Sequence, residues 1–185
     1  MRIVGGKFRS RIIESVEGTA TRPTMEKVRE ALFGRIGYEL VDKSMLDLFA
    51  GSGAVSLEGI SRGMREAVLV DGAQDAIDTI KHNIKKLGVN EQCMVLRMEA
   101  FQAMRYLKGK EKKFDFVFID PPYGKVDIKK VLSTLISMDL VTEEGIAVIE
   151  TPNKREEIEY PEEWDFEKRH DYGITSLIYL RRKKI

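Results

Sequence analysis

Four carboxylates stand where short apolar runs of this chain break: Asp47 in MLDLFA, Asp71 after AVLV, Glu99 just beyond CMVLR, and Asp120 after FVFI. The last break is the most abrupt. Asp120-Pro121-Pro122-Tyr123 sets a carboxylate and a phenol beside two prolines, and Pro122 confines Pro121 to extended backbone, so the direction of its carbonyl is fixed. The first break runs into Asp47-Leu48-Phe49-Ala50-Gly51-Ser52-Gly53, a strand, a glycine turn and the start of a helix. There the glycines let backbone come close to a ligand and the helix N-terminal amides point outward. The turn lacks the third glycine of a dinucleotide site and the Gly-Lys-Ser/Thr of a phosphate loop, which disfavours both. Asp47 would repel a phosphate but could pair with an ammonium or hold water, so the expected ligand is cationic or zwitterionic. Asp71 can accept both hydroxyls of a ribose or cap the helix that starts near Ala73. Glu99 can likewise cap a helix or sit beside an adenine ring. Taken together, the strand-end acids line the crevice in which open α/β sheets bind ligands.

The elements that must position them alternate. Met45 to Ala50, Ala67 to Asp71, Cys93 to Arg97, Phe114 to Ile119 and Gly145 to Glu150 read as strands separated by helical patterns, the signature of βαβ units and a mainly parallel sheet. Between the second and third strands, Ile77, Ile80, Ile84 and Leu87 recur at helical spacing, and Gly88 suits a left-handed cap. Ala100 to Leu107 and Ile128 to Met138 are the next helices. Trp164 to His170 and Ser176 to Arg181 read as an antiparallel hairpin at the sheet edge, giving seven strands in all. At the other end, Arg2 to Val4 and Ile12-Ile13 flank a Gly-Gly-Lys turn and suggest a small β-hairpin. A helix then follows Thr21-Arg22-Pro23-Thr24, with Thr24 as its expected N-cap and Val28, Leu32 and Ile36 as its buried stripe.

With 185 residues, 43% hydrophobic and 33% charged, the chain suits one domain with a small appendage. Its formal net charge of +1 gives no strong overall field, so nucleic-acid binding would have to come from local clusters. Arg2, Lys7, Arg9 and Arg11 form one before the first acid, and Arg181-Arg182-Lys183-Lys184 form another, which is either a contact surface or a solvated tail. One cysteine and two scattered histidines exclude an internal disulfide and speak against structural zinc. No apolar run approaches the roughly 20 residues of a membrane span, and the basic start lacks the apolar core of a signal peptide. The protein is therefore expected in the cytoplasm, with no membrane or metal partner and as a monomer.

The order of elements with DLFAGSG and DPPY resembles the Rossmann-like, class I methyltransferases that use S-adenosylmethionine to modify exocyclic amino groups. MRIVGGKFRSRII, TRPTMEKVREALF and DLFAGSGAVSLEGISRG extend that resemblance over essentially the whole chain to the RsmD family of bacterial 16S ribosomal RNA guanine-N2 methyltransferases. The resemblance implies a fold with a seven-stranded, mostly parallel sheet, a C-terminal antiparallel hairpin and an N-terminal hairpin extension. It implies a methyl donor held by Asp47, Phe49, Ala50, Gly51, Ser52, Gly53, Asp71, Glu99 and Ala100, with Arg22 and Thr24 near donor and acceptor. Asp120, Pro121, Pro122 and Tyr123 would receive the amino group. Arg2, Lys7, Arg9 and Arg11, in an RNA-binding extension over residues 1–20 ahead of a methyltransferase domain over 21–185, would contact 16S rRNA, free or in an assembling 30S subunit. This chain has Asp71-Gly72-Ala73-Gln74 where the family commonly has an acid and a charged stretch, and Glu99 where Asp is common. An adenine-N6 methyltransferase acting on DNA or RNA, and a non-catalytic RNA-binding module, are the competing readings. A compact chain leaves little room for the target-recognition segment the first would need, and an intact DPPY argues against the second.

Overall fold

In the computed structural model, which describes residues 1–18, 23–152 and 157–184, the alternating pattern becomes a sheet with helices on both faces. Helix α1 (Pro23–Ile36) precedes β1 (Ser44–Asp47), α2 (Ala54–Ser61), β2 (Glu66–Asp71), α3 (Gln74–Leu87) and β3 (Cys93–Arg97). Then come α4 (Ala100–Gly109), β4 (Phe114–Ile119), α5 (Ile128–Ser137), β5 (Val141–Pro152), β6 (Trp164–Tyr172) and β7 (Thr175–Arg182). The seven strands lie in the order β3-β2-β1-β4-β5-β7-β6, with β7 and β6 antiparallel to their neighbours. This is the expected fold, and its strand order reverses between β1 and β4. Ligands of open α/β sheets bind beyond the strand ends at such a reversal.

The central strands β1, β2 and β4 lack polar alternation because both of their faces are covered, whereas the edge strand β6 is largely exposed. One layer packs Val28, Leu32 and Ile36 of α1, Leu57 of α2 and the α3 isoleucines onto Met45, Leu69, Phe116, Phe118 and Val148. The other packs α4 and α5 onto Leu46, Val70, Val117, Ile119 and Ile149, and there the indole N–H of Trp164 donates to the Leu132 carbonyl at 3.2 Å.

Several boundaries differ from those the pattern suggests. β1 ends at Asp47 instead of Ala50, because the chain must leave the sheet to form the glycine turn; the Leu48 and Ala50 amides still donate to Phe118 and Val70. β5 begins earlier, at Val141, but its register against β4 jumps from Phe114↔Val141 to Phe116↔Ile146, so the residues between bulge out. Helix α1 starts at Pro23, a proline at the first helical position, which puts Thr24 inside the first turn instead of at the cap.

The N-terminal hairpin is minimal. A single antiparallel bridge, Arg2↔Ile12, closes it, supported by the amides of Ile3, Ser10 and Ile13 donating to Arg11, Ile3 and Met1 carbonyls. What holds it to the sheet layers is α2. The fully buried Glu58 accepts from the Val4 and Gly5 amides at 2.9 Å each and from Arg62 Nε at 2.9 Å, and it faces Arg29 Nε at 3.4 Å. Ser61 completes the seam, accepting from the Phe8 amide and donating to the Gly5 carbonyl. Contact is so close that a Cβ on Gly6 would lie 2.0 Å from the Ser61 carbonyl oxygen, and the residue has φ +78°. Glycine is therefore obligatory there for approach as well as for turning. Ile3 and Ile13 sink into the first layer beneath this seam.

Removing Glu58 strands the Arg29 guanidinium and two amides in a dry place. Glu58→Ala is expected to cost about 3–5 kcal/mol of stability, measured by urea unfolding, and to expose the residue 1–18 arm to proteolysis; a loss below about 1 kcal/mol would show that the seam does not hold the arm.

Candidate active site

Asp47, at the end of β1, is 1% exposed. Its Oδ2 accepts from the hydroxyl of Ser56, in the first turn of α2, at 2.8 Å, while Oδ1 is buried with no hydrogen-bond partner. Desolvation pushes its carboxyl up to about 7, with the Ser56 hydrogen bond opposing and the charges of Asp71 and Glu150 adding to the rise. A buried, half-satisfied carboxylate of this kind is a place for a cationic donor group.

The glycine turn above it is held by backbone. The Gly51 amide donates to Asp71 Oδ2 at 3.0 Å and the Ala73 amide to Asp71 Oδ1 at 2.9 Å, so Asp71 ties the glycine turn to β2 with one oxygen and closes a local turn ahead of α3 with the other; the α3 N-cap itself, Ala73, has no side-chain cap, so the capping role open to Asp71 in the sequence is not the one it takes. Asn83 of α3, fully buried, donates to the Ser52 carbonyl at 3.0 Å and exchanges two hydrogen bonds with the Glu14 backbone. Gly53 has φ +83°, and a Cβ there would press on the Leu69 side chain at 3.0 Å. Glu99 does cap a helix: its carboxylate accepts from the Phe101 and Gln102 amides at the start of α4.

The chain leaves β4 at Asp120. Asp120 is exposed as a residue at the open end of the crevice, with its carboxyl group beside Glu150, which follows Ile149 on the adjacent strand and borders the same chamber. Burial first, then the Glu150 charge and hydrogen bond, then Asp47, hold the Asp120 carboxyl well above the usual carboxylate range. Beyond it Pro122 accepts from the Lys125 amide across a turn with Gly124 at φ +70°, and the Tyr123 ring is 60% exposed.

Two chambers meet at this point. The smaller, about 290 Å³, is lined by Asp47, Phe49, Ala50, Gly51 and Ser52 together with Arg29, Phe118, Asp120 and Glu150, and is flanked by Ser15 and Val16 of the N-terminal segment. The larger, about 830 Å³, is lined by Asp71, Glu99, Ala100, Phe101, Pro121 and Pro122. Phe49, Gly51 and Asp120 border both. Thus most of the residues singled out in the sequence converge on one crevice at the sheet's reversal point. Gly53 lies beneath it as packing, and Tyr123 lies outside the chamber walls. Arg22 is outside the described residues, as is the Thr24 side chain.

Sequence reasoning missed Arg29, Asn83 and Glu150. Glu150 carried a signal, because it ends an apolar run as Asp71 and Asp120 do. Arg29 and Asn83 sit on helices among residues read only for their apolar stripes.

The basic arm lies on the α2 side. Arg2, Lys7, Arg9 and Arg11 are all exposed. Arg2 pairs with Glu26 at 3.3 Å, Arg11 donates to the Lys86 carbonyl at 2.9 Å, and the Lys7 ammonium lies 5.4 Å from the Phe8 ring centre. No described helix is long and apolar enough to cross a membrane.

Comparison with known proteins places these features in context. A family model described as Conserved hypothetical protein 95 matches residues 1–181. YlbH of Bacillus subtilis (strain 168) is 35% identical over 186 residues, covering 98% of this chain and 100% of the relative. Ribosomal RNA small subunit methyltransferase D of Escherichia coli (strain K12) is 28% identical over 182 residues, 98% of this chain and 90% of that protein. Among solved structures, YhhF from Escherichia coli superposes with a TM-score of 0.86 at 25% identity, over 100% of this chain and 99% of that one.

The raised carboxyl of Asp47 has a consequence for stability. Its folded-state value lies above its unfolded one, so the protonated acid favours the folded state, and that advantage drains away as pH rises from about 4 to 7. Asp47→Asn removes this loss. In urea titrations without ligand, the stability difference between variant and native protein should shift in the variant's favour by about 2–3 kcal/mol between about pH 5 and about pH 8; a pH-independent difference would show that Asp47 is not desolvated in the folded protein.

Proposed function

Because this chain belongs to the RsmD family, we propose that it transfers a methyl group from S-adenosylmethionine to the exocyclic N2 of a guanine in 16S ribosomal RNA. The observation that carries this reading is the Asp120-Pro121-Pro122 corner at the junction of two chambers, one small and acidic, the other wide.

The residues fit the donor. The unpartnered Oδ1 of Asp47 suits its ammonium, the open φ +57° backbone at Gly51 lets the turn approach it closely, and the larger chamber suits the adenosine. Asp71 and Glu99 already accept backbone amides there, yet carboxylate oxygens have lone pairs left for ribose hydroxyls or the adenine edge. When bound, the donor supplies an electrophilic methyl on a sulfonium whose carbon–sulfur electron pair leaves with sulfur.

The protein's task is to present the nitrogen. A guanine amino group is a poor nucleophile, since its lone pair is delocalised into the ring. Asp120 and the Pro121 carbonyl are two acceptors that can bind its N–H bonds and turn the lone pair toward the methyl group, and Tyr123 offers a face for the base to stack on. Stacking of this kind contributes roughly 1–3 kcal/mol. Most of the rate gain would come from that positioning. As positive charge develops on nitrogen, the Asp120 carboxylate stabilises it and takes the proton. The base has to leave its stack to enter, and the arm of residues 1–20 would hold the flanking phosphates through Lys7, Arg9 and Arg11, with Arg2 beside them. Arg22 and Thr24 would stand close to donor and acceptor. In this reading the substrate is 16S rRNA, free or in a 30S assembly particle, met in the cytoplasm by a monomeric, metal-independent enzyme.

The test incubates the protein with labelled S-adenosylmethionine and naked rRNA, 30S particles or DNA, then maps the modified nucleoside. Label on N2 of guanine in 16S rRNA is expected; label on N6 of adenine, or none on RNA, would overturn the reading. Asp120→Ala should keep donor affinity while turnover falls about 100- to 10,000-fold. Replacing Arg9 and Arg11 together with Ala should weaken RNA binding and lower the slope of log affinity against log salt by about 1–2, with donor affinity unchanged.

A further inference from the structure

The proposed chemistry gives work to Asp120 but leaves Glu150 without a role. The register places it deliberately close. Asp47 pairs with Phe118 across β1 and β4, and Phe118 and Ile119 pair with Val148 and Ile149 across β4 and β5. Phe118 and Val148 pack in the same layer, so Asp120 and Glu150, two residues further along each strand, follow onto the same side of the sheet as Asp47. All three border the smaller chamber.

We propose that Glu150 is the positioning partner of Asp120: the two carboxyl groups hold one proton between them, which leaves Asp120 a fixed acceptor oxygen for the substrate amino group. This rests on the methyltransferase reading. Two carboxyl groups side by side at adjacent strand positions and bordering one chamber repel each other when both are ionised, so the proton that relieves the repulsion is held in common. With Glu150 donating to one oxygen of Asp120, the other oxygen faces the substrate. As the new nitrogen–carbon bond forms, a nitrogen–hydrogen bond breaks, its electron pair stays on nitrogen, and the proton moves to Asp120. The pair goes from monoanion to neutral while the sulfonium charge is lost, so the crevice holds the same net charge before and after.

The other charges around the pair do not replace this arrangement. From β1, Asp47 adds a further negative charge. From α1, the Arg29 guanidinium borders the chamber but faces Glu58 at 3.4 Å and donates to the Arg2 carbonyl. On the far side, Lys125, Lys130 and Asp127 line the wider chamber, where Asp71 and Glu99 are occupied by backbone amides. Across β5, β7 sets the apolar Leu177 opposite Glu150.

Carbon-13 carboxyl resonances of Asp120 and Glu150 in the native protein test the shared proton without substrate. Each should titrate in two steps with the same two midpoints; two independent single-step curves would overturn the proposal. Glu150→Gln keeps a donor to Asp120 but cannot share a proton, so the Asp120 midpoint should fall by about one pH unit or more. In single-turnover methylation the acid limb of the rate–pH profile should move down with it, and the plateau should drop because Asp120 is a weaker base. A plateau loss with an unmoved limb would mean Glu150 is only structural. Failure of the methyltransferase reading looks different: no RNA methylation by native protein, whatever the two resonances do.

Discussion

Parallel pairing of β1, β4 and β5 stops at the same edge, and in this chain a carboxyl group stands at each stop on the same side of the sheet, although β5 runs on to Pro152 against β7. That constraint governs the rest of the site. Three acids facing one chamber repel one another, Asp47 among them is stripped of water, and the single bordering guanidinium among the described residues, Arg29, is already engaged by Glu58. The fold thus stores an unmet demand for positive charge beside the glycine turn. A zwitterionic sulfonium would answer it, and a phosphate-bearing cofactor would aggravate it. The same reasoning explains why the turn departs from dinucleotide and phosphate-loop patterns, since glycines alone give close approach and the acid decides what may approach.

The basic arm depends on the same architecture through a different acid. Glu58 lies one turn into α2, the helix whose start is the glycine turn, so the element that opens at the crevice also carries the anchor of the arm. Arg29 faces both: it borders the smaller chamber and closes the Glu58 seam. Asn83 makes a second tie, joining the Glu14 backbone to the Ser52 carbonyl of the turn. Segment 14–16 is thereby held in a fixed relation to the crevice whose rim it forms. Cations that grip a polyanion at the arm would place it with little freedom relative to Asp120, and reduced freedom at the reacting groups is where positioning enzymes gain most.

Much of this was legible in the chain. Apolar runs of six or fewer residues alternating with helical spacing are sufficient for the layered sheet, and FVFIDPPYG marks the corner because prolines cannot continue a central strand. Boundaries were less legible where tertiary needs override local pattern. Leu48-Phe49-Ala50 is apolar enough to extend β1, yet the turn requires those residues outside the ladder. The bulge in β5 leaves no trace in hydropathy. Glu58, Asn83 and Arg29 were illegible for a different reason: each partners backbone or charge some 27 to 69 residues distant, and nothing local distinguishes a buried polar side chain on a helix from an exposed one.

Asp71 and Glu99 show how one residue can hold backbone and still be open to a ligand. Each was open to a capping role or a ligand role; Glu99 does cap α4, whereas Asp71 fixes the glycine turn and the turn ahead of α3, and in both the two carboxylate oxygens accept backbone amides. Those amides do not consume them. An amide occupies one lone pair of an oxygen and fixes the group in space, so a carboxylate held this way at the border of a chamber is a preorganised acceptor, with less entropy left to lose on meeting a hydroxyl than a free side chain. Asp71 couples this to the turn directly, since the amide it fixes belongs to Gly51, a residue that borders both chambers. Glycine turn and strand-end acid are on this view one device, in which the acid sets the backbone and the backbone sets the acid.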